Sequence, residues 1–337
     1  DPRRRHRSHH RGADVRLVVT GALGHIGSRL IREVAGACPG ADVVMLDNLA
    51  TERYASLYDL PEACRYEFVE ADVLTADLPA LFAGADAVFH LAALTNYARI
   101  DLRERMERVN VHGTERVARA CAAVGVPMLF PSTTSVYGVA NGVASEEGPP
   151  ENVHPQSPYA AWKLQSEELL RSLGREAGLR FVIFRMGTIF GPSVGMRFHT
   201  AVNQFCWRAM SGQTIEVWHT ASHQFRPYLD LSDAVRAMIF VLRHRQFDAR
   251  LYNVLTLNAT AAHVVEVLAT FVPDLRINYI ESPLMNTLSY HVDTARFSRL
   301  GFEFSGSLDR GIGDTIAMLT AARAVISGGS PRKGGAG

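Results

Sequence analysis

Cysteine is scarce: the chain has four, Cys38, Cys64, Cys121 and Cys206, far apart and without metal-ligand spacing. That argues against a disulfide scaffold and for a reducing compartment, so a cytoplasmic location is expected and no metal centre is. Long hydrophobic runs are missing, since no stretch reaches the roughly 18 apolar residues that a membrane helix needs. Excess charge is missing too. Lys+Arg total 35 against 34 Asp+Glu, a net +1, which supplies no field for nucleic acid or a membrane surface. No repeat of fixed period is present, which excludes solenoids and propellers. What is there is 337 residues, 47% hydrophobic and 20% charged. That is the composition of a globular enzyme with about two domains and a large core.

The opening DPRRRHRSHHRG holds five Arg and three His. It lacks the apolar stretch of a secretory signal, so residues 1–13 are expected to be a disordered basic leader or an expression remnant rather than a nucleic-acid arm. The Gly/Ser-rich end, 326–337, is expected to be flexible. Between them, apolar runs recur at 16–20, 42–47, 66–69, 86–91, 127–131 and 179–185. Several are apolar without alternation, as in strands buried on both faces. Ile26, Leu30, Ile31 and Val34, and later Val117, Cys121 and Val124, recur at helical spacing. Strands alternating with helices predict an α/β fold with a doubly wound parallel sheet over 14–186. The rhythm changes after Gly187. Residues 187–325 read as a smaller substrate-binding domain, with helices over 230–243 (capped near Ser232) and 261–271. Segments near 225–255, above all 251–254, are expected to return to the main sheet.

Thr20–Gly27 reads TGALGHIG, directly after a strand and opening a helix. In that context Gly21 permits a tight turn, Gly24 lets the backbone approach a pyrophosphate and Gly27 allows close helix–strand packing. The helix N-terminus offers free N–H groups to the phosphates. A plain strand-to-helix turn is the bland alternative, and Asp47 at the end of the second strand speaks against it. A carboxylate there accepts from ribose hydroxyls and repels a 2′-phosphate, which favours NAD. Asp72, after the third strand, either reaches the adenine or is a solvated turn residue.

Ser157–Lys163 reads SPYAAWK, with Pro158 suited to a helix start and Tyr159 and Lys163 on one helical face. An ammonium beside a phenol favours the phenolate, which can then act as a general base. Alone, such a pair is usually a surface pair. Thr133, in PSTTSVYG just after the fifth strand, changes the odds, because ligands of open α/β sheets bind at strand C-terminal ends. Its hydroxyl would hold a substrate oxygen against Tyr159. Asn110, predicted mid-helix, loosens that helix, anchors a water near Lys163 or is simply exposed.

These motifs, with HLAA at 90–93 and FRMGTIFGP, resemble the extended short-chain dehydrogenase/reductases over about residues 15–305, and within them the nucleotide-sugar epimerase/dehydratase group. The resemblance implies a Rossmann-type sheet with a smaller C-terminal α/β domain, NAD as cofactor and a homodimer. It implies a nucleotide-diphosphate sugar as substrate, a UDP-sugar first. It implies a catalytic Thr133, Tyr159 and Lys163, and cofactor contacts from Gly21, Gly24, His25, Ile26, Gly27, Asp47, Asn48, Asp72, Val73, Leu91, Ala92, Ala93, Asn110, Tyr159 and Lys163. Substrate contacts follow at Thr133, Thr134, Thr188, Arg197, Asn203, Trp218, Arg226 and Tyr290. Arg226 matches a family arginine that grips the diphosphate, a task suited to a guanidinium fork. Asn203–Phe205 and Thr214–Trp218 resemble segments that enclose the base, with Trp218 either stacking on it or in the core. Tyr290, Asp293 and Arg296 match the segment that completes the pocket. Two departures matter. Sugar-nucleotide 4,6-dehydratases of the group carry an Asp-Glu pair where this chain has Thr134 and Ser135. The family's frequent Asn after the sixth strand is replaced by Thr188, where some uronate-acting epimerases resemble the sequence, and Arg197 or His199 would meet a carboxylate or are ordinary loop residues. The expected activity is an NAD-dependent nucleotide-sugar 4-epimerase, with a dehydratase, a dehydrogenase/ketoreductase or a non-catalytic NAD sensor as alternatives. The apolar face of the Tyr159 helix (Trp162, Leu169, Leu170, Leu173) is either a dimer surface or core.

Overall fold

The computed structural model describes residues 15–95, 103–138, 142–148, 153–219, 222–281 and 289–328. The expected leader and the tail beyond residue 328 lie outside them. Each buried run is followed by a turn and an apolar helical stripe, and the elements follow that grammar. β1 (Arg16–Thr20) leads to α1 (His25–Ala37), β2 (Asp42–Asp47), β3 (Arg65–Glu70), α2 (Leu78–Phe82) and β4 (Ala87–His90). α3 (Arg103–Glu107), a π-helical stretch (Arg108–Gly113) and α4 (Thr114–Val124) run on from one another. Then come β5 (Met128–Thr133), β6 (Val143–Ala144), α5 (Pro158–Ala177), β7 (Phe181–Met186), β8 (Thr188–Phe190) and α6 (Ala201–Met210). The remainder is β9 (Ile215–Trp218), β10 (Phe225–Asp230), α7 (Leu231–His244), β11 (Arg250–Val254), β12 (Leu257–Thr260), α8 (Ala261–Phe271), β13 (Ile277–Ile280), β14 (His291–Val292), α9 (Ala295–Ser298) and α10 (Leu308–Gly328).

Seven strands form one sheet in the order β11-β7-β5-β4-β1-β2-β3, and every pairing in it is parallel. Chain order reverses between β1 and β4, which opens a crevice at the carboxyl ends of the strands. Leu17, Val18, Val19 and Thr20 of the central β1 are fully buried, whereas β3, at the edge, alternates. One face is covered by α1 and α7, where Leu30, Ile31 and Val34 share a core with Ala234, Met238 and Val241. The other is covered by α4 and α5 through Val117, Cys121, Leu170 and Leu173. Each large aliphatic side chain buried this way contributes about 1.5–3 kcal/mol.

The stretch 225–255 divides. β10 joins β12 and β8 in a separate three-stranded sheet, while α7 packs on the main core and β11 pairs with β7. The chain thus crosses between lobes more than once, and Phe297 and Phe302 return late to the main core. The cap of α7 is Asp230, whose Oδ1 accepts from Ser232 N at 2.8 Å, rather than Ser232 itself. On α5, Trp162, Leu170 and Leu173 are 8%, 0% and 4% exposed. The chain's own core uses these three, while Leu169 is only partly buried against it. No helix among the described residues is long and apolar enough to cross a membrane.

Candidate active site

The glycine turn brings three strand ends together. Gly21 has φ +66°, and a Cβ there would lie 2.6 Å from Ala92 N, so the chain beyond β4 sits directly on the turn. Leu91 N donates to Thr20 O at 2.9 Å and Ala92 N to Thr20 Oγ1 at 3.3 Å; Ala93 follows in the same half-buried stretch. A Cβ on Gly27 would lie 2.6 Å from the carbonyl oxygens of Gly21 and Ala22. No side chain caps α1, so its first amides, from His25 and Ile26 onward, await an external acceptor. Asp47 accepts from Leu23 N at 3.1 Å and Leu49 N at 3.0 Å. Asn48 Nδ2 donates to Asp72 Oδ2 at 2.9 Å, which places both at the exposed rim. A turn a Cβ would block, an uncapped helix end and a carboxylate beyond β2 together fit a dinucleotide. Arg53, the one basic residue between Asp47 and Arg65, also reaches this turn. Its Nη1 lies 3.8 Å from a Gly24 Cβ position, and the Asp47 carboxylate supports its charge.

Three expected contacts take different places. The Val73 side chain is 4% exposed and belongs to the core. The His25 ring is buried and bonded away from the turn, to Ser193 and Asn203. Asn110 is buried rather than exposed, in a stretch where the helix is loosened. The π-helical stretch turns it inward, where Nδ2 donates to Leu94 O at 2.7 Å and Oδ1 accepts from Leu94 N at 2.9 Å. His90 is a structural member of HLAA: its ring lies 2.8 Å from Thr20 Oγ1 and 3.0 Å from Thr114 Oγ1. Burial pushes it down to about 3, so it stays neutral.

Thr133 ends β5, and its Oγ1 accepts from Ser135 N at 3.1 Å, closing the short turn over 134–137. α5 starts at Pro158 behind a Ser157 cap that accepts from Ala160 N at 3.2 Å. One turn separates Tyr159 from Lys163. Lys163 Nζ donates to Pro131 O at 2.8 Å and lies 5.9 Å from the Tyr159 ring centroid. Burial, countered by Glu167 and assisted by Arg197, lowers the Lys163 ammonium to about 7. A turn later Glu167, wholly buried, accepts from Ser132 Oγ at 2.5 Å and from Arg185 Nε and Nη2 at 2.9 and 2.7 Å. Strand β5 and helix α5 are therefore tied beneath the reacting groups by two polar bridges.

The second lobe supplies the opposite wall. Arg197 is half-buried; Nη1 donates to Thr95 Oγ1, and Nε is sealed from solvent with no acceptor. Thr95 Oγ1 also lies 3.3 Å from His199 Nε2. Tyr159 lies within electrostatic range of Arg197 and supports its charge. Thr134 Oγ1 donates to Met186 O at 3.2 Å, and burial raises the Tyr290 hydroxyl pKa, countered by Thr134, Arg226 and Ser135 nearby. Thr188 opens β8 opposite Tyr228. Two expected substrate residues stand apart. Asn203 is 0% exposed, and its amide is taken up by protein groups. Trp218 is 40% exposed on the small ribbon of β9 and β13. Arg296 bonds Leu251 O and Glu147, and the Asp293 carbonyl accepts from Asn253, so both brace the lobe.

A tight glycine turn and an uncapped helix at the carboxyl ends of a doubly wound parallel sheet define a dinucleotide-binding α/β protein. The chain belongs to the NAD dependent epimerase/dehydratase family, whose model matches residues 17–254, and NAD is its cofactor. It is 26% identical over 324 residues to the trifunctional UDP-glucose 4,6-dehydratase/UDP-4-keto-6-deoxy-D-glucose 3,5-epimerase/UDP-4-keto-L-rhamnose-reductase RHM1 of Arabidopsis thaliana. That match covers 90% of this chain and 47% of the relative, so the chain spans about half its length. It is 32% identical over 231 residues to UDP-glucose 4-epimerase of Mycolicibacterium smegmatis, across 67% of this chain and 72% of that one. Among solved structures it is similar to MoeE5 in complex with UDP-glucuronic acid and NAD, with TM-score 0.78 and 28% identity over 91% of this chain and 99% of that one.

Proposed function

We propose that the chain is a nucleotide-sugar 4-epimerase whose substrate is a UDP-sugar with a carboxylate on the ring. The observation that carries the epimerase reading is the group beside Tyr159. Lys163 stands 5.9 Å from its ring and Thr133 ends β5, while positions 134 and 135 carry only hydroxyls, and the Thr134 hydroxyl is bonded to Met186 O. Expelling water from the sugar needs a general acid and a base that hydroxyls do not supply at neutral pH. A carboxylated sugar is favoured by Arg197, a half-buried cation in electrostatic range of Tyr159. A planar guanidinium fork suits a carboxylate.

In this reading Thr133 and Tyr159 hold the sugar hydroxyl, and Tyr159 removes its proton. Lys163 supports the phenolate. NAD, when bound, accepts the hydride and gives it back. Tyr159 then returns the proton to the carbonyl oxygen, and Arg226 retains the diphosphate while the sugar presents its other face. The test is NMR of UDP-glucuronic acid and UDP-glucose incubated with the protein and catalytic NAD. A new epimer without net NADH supports the reading. An unsaturated or keto product, or stoichiometric NADH, replaces it with a dehydratase or dehydrogenase.

A further inference from the structure

The loop that carries Arg197 is seated on the cofactor turn. A Cβ on Gly195 would lie 2.3 Å from Leu23 O and 2.7 Å from Gly24 O, so the two backbones touch. Gly195 N donates to Ser28 Oγ at 2.9 Å. Both ends of the loop are pinned by one side chain: Asn203 Oδ1 accepts from Gly191 N at 3.2 Å, and Nδ2 donates to Arg197 O at 3.4 Å. That amide is held by His25, whose Nε2 lies 3.4 Å from Asn203 Nδ2 and whose Nδ1 lies 2.8 Å from Ser193 Oγ.

The hydrogen-bond roles are determined throughout. The Gly191 N–H sets the orientation of the Asn203 amide, so Nδ2 faces the ring and donates. His25 Nε2 must then accept, and Nδ1–H donates to Ser193. Only a neutral ring has one donor and one acceptor, and burial, with the Arg197 charge second, holds His25 down to about 3. His25 is 3% exposed. It belongs by sequence to the dinucleotide motif, yet its side chain touches the opposite lobe.

We propose that His25 is a positioning residue for Arg197: through Ser193 and Asn203 it fixes, from the cofactor turn, where the guanidinium stands. The inference rests on the reading above in which Arg197 meets the substrate carboxylate. It makes the sugar-recognising arginine and the cofactor-binding helix parts of one rigid unit, so anion selectivity depends on a residue that touches no sugar.

The experiment compares wild type, His25→Phe, His25→Asn, Ser193→Ala and Arg197→Met by calorimetry with UDP-glucuronic acid, UDP-glucose and NAD. His25→Phe should weaken UDP-glucuronic acid about tenfold, the worth of a buried hydrogen bond or two, and leave UDP-glucose and NAD within about twofold. His25→Asn, which keeps a donor near the Nδ1 position, should recover part of the loss. Ser193→Ala, the milder change, should show the same selective loss at smaller size. If His25→Phe and Ser193→Ala weaken both sugars and NAD alike, or neither sugar, the positioning role is overturned. If Arg197→Met itself leaves UDP-glucuronic acid affinity unchanged, the carboxylate reading has failed, whatever the His25 variants do.

Discussion

Glu167→Gln should be among the most damaging single changes outside the reacting groups. Glu167 is 0% and Arg185 5% exposed, and they meet through two bonds of 2.9 and 2.7 Å. Neutralising the carboxylate leaves the Arg185 guanidinium buried against the Tyr137 ring, 4.7 Å from its centroid. Breaking such a pair from one side costs about 3–5 kcal/mol, and the retained amide oxygen places the value near 3. At about 2–4 °C per kcal/mol for a domain of this size, Tm should fall by roughly 10 °C. The same carboxylate raises the Lys163 pKa against burial, so its loss should let Lys163 fall below about 7. If the charged ammonium supports catalysis, the alkaline limb of the kcat/KM profile should then move to lower pH. Urea unfolding at pH 7 and the pH profile measure the two effects. A Glu167→Met/Arg185→Met double variant should regain stability, since no lone charge stays buried, but not the pH limb. A loss under about 1 kcal/mol with an unmoved limb would refute the account of the pair.

Tyr159→Phe should keep the fold and NAD binding, with turnover down at least about a hundredfold, because proton transfer is lost; circular dichroism and the NMR assay check it. Gly21→Ala should lower NAD affinity at least about tenfold by calorimetry, because the new Cβ meets Ala92 N at 2.6 Å in a φ +66° turn. Lys163 carries the third effect. Its folded pKa, about 7, lies below the ordinary lysine value of about 10.5, so between those values the unfolded chain binds more protons and stability rises with pH. Urea midpoints from pH 7 to 10 should climb more steeply for wild type than for Lys163→Met; parallel curves would sink the argument.

Local chemistry was readable where neighbours in sequence are neighbours in space. The turn at Gly21, the i, i+4 pair Tyr159–Lys163 and the buried runs of β1, β2 and β7 depend on backbone geometry and hydrophobic period. At Asn110 the loosened helix was readable, because Asn is disfavoured mid-helix, but the contact with Leu94 that the π-helical stretch allows was not. For 225–255 the return of 251–254 to the main sheet was readable, but not that β10 would pair elsewhere, since both look alike as apolar runs and only their partners differ.

The sequence by itself determined the class: a parallel sheet, a dinucleotide turn and a phenol–ammonium pair, each written in residues a few positions apart. Tertiary structure decided which charged groups lack partners and which polar groups are spent. Asn203 has the composition of a ligand contact but gives its amide to the Arg197 loop, and His25 grips Ser193 from 168 residues away. Such outcomes depend on burial and on who faces whom across two lobes. A hydrogen bond between distant residues leaves no period or spacing in a single chain.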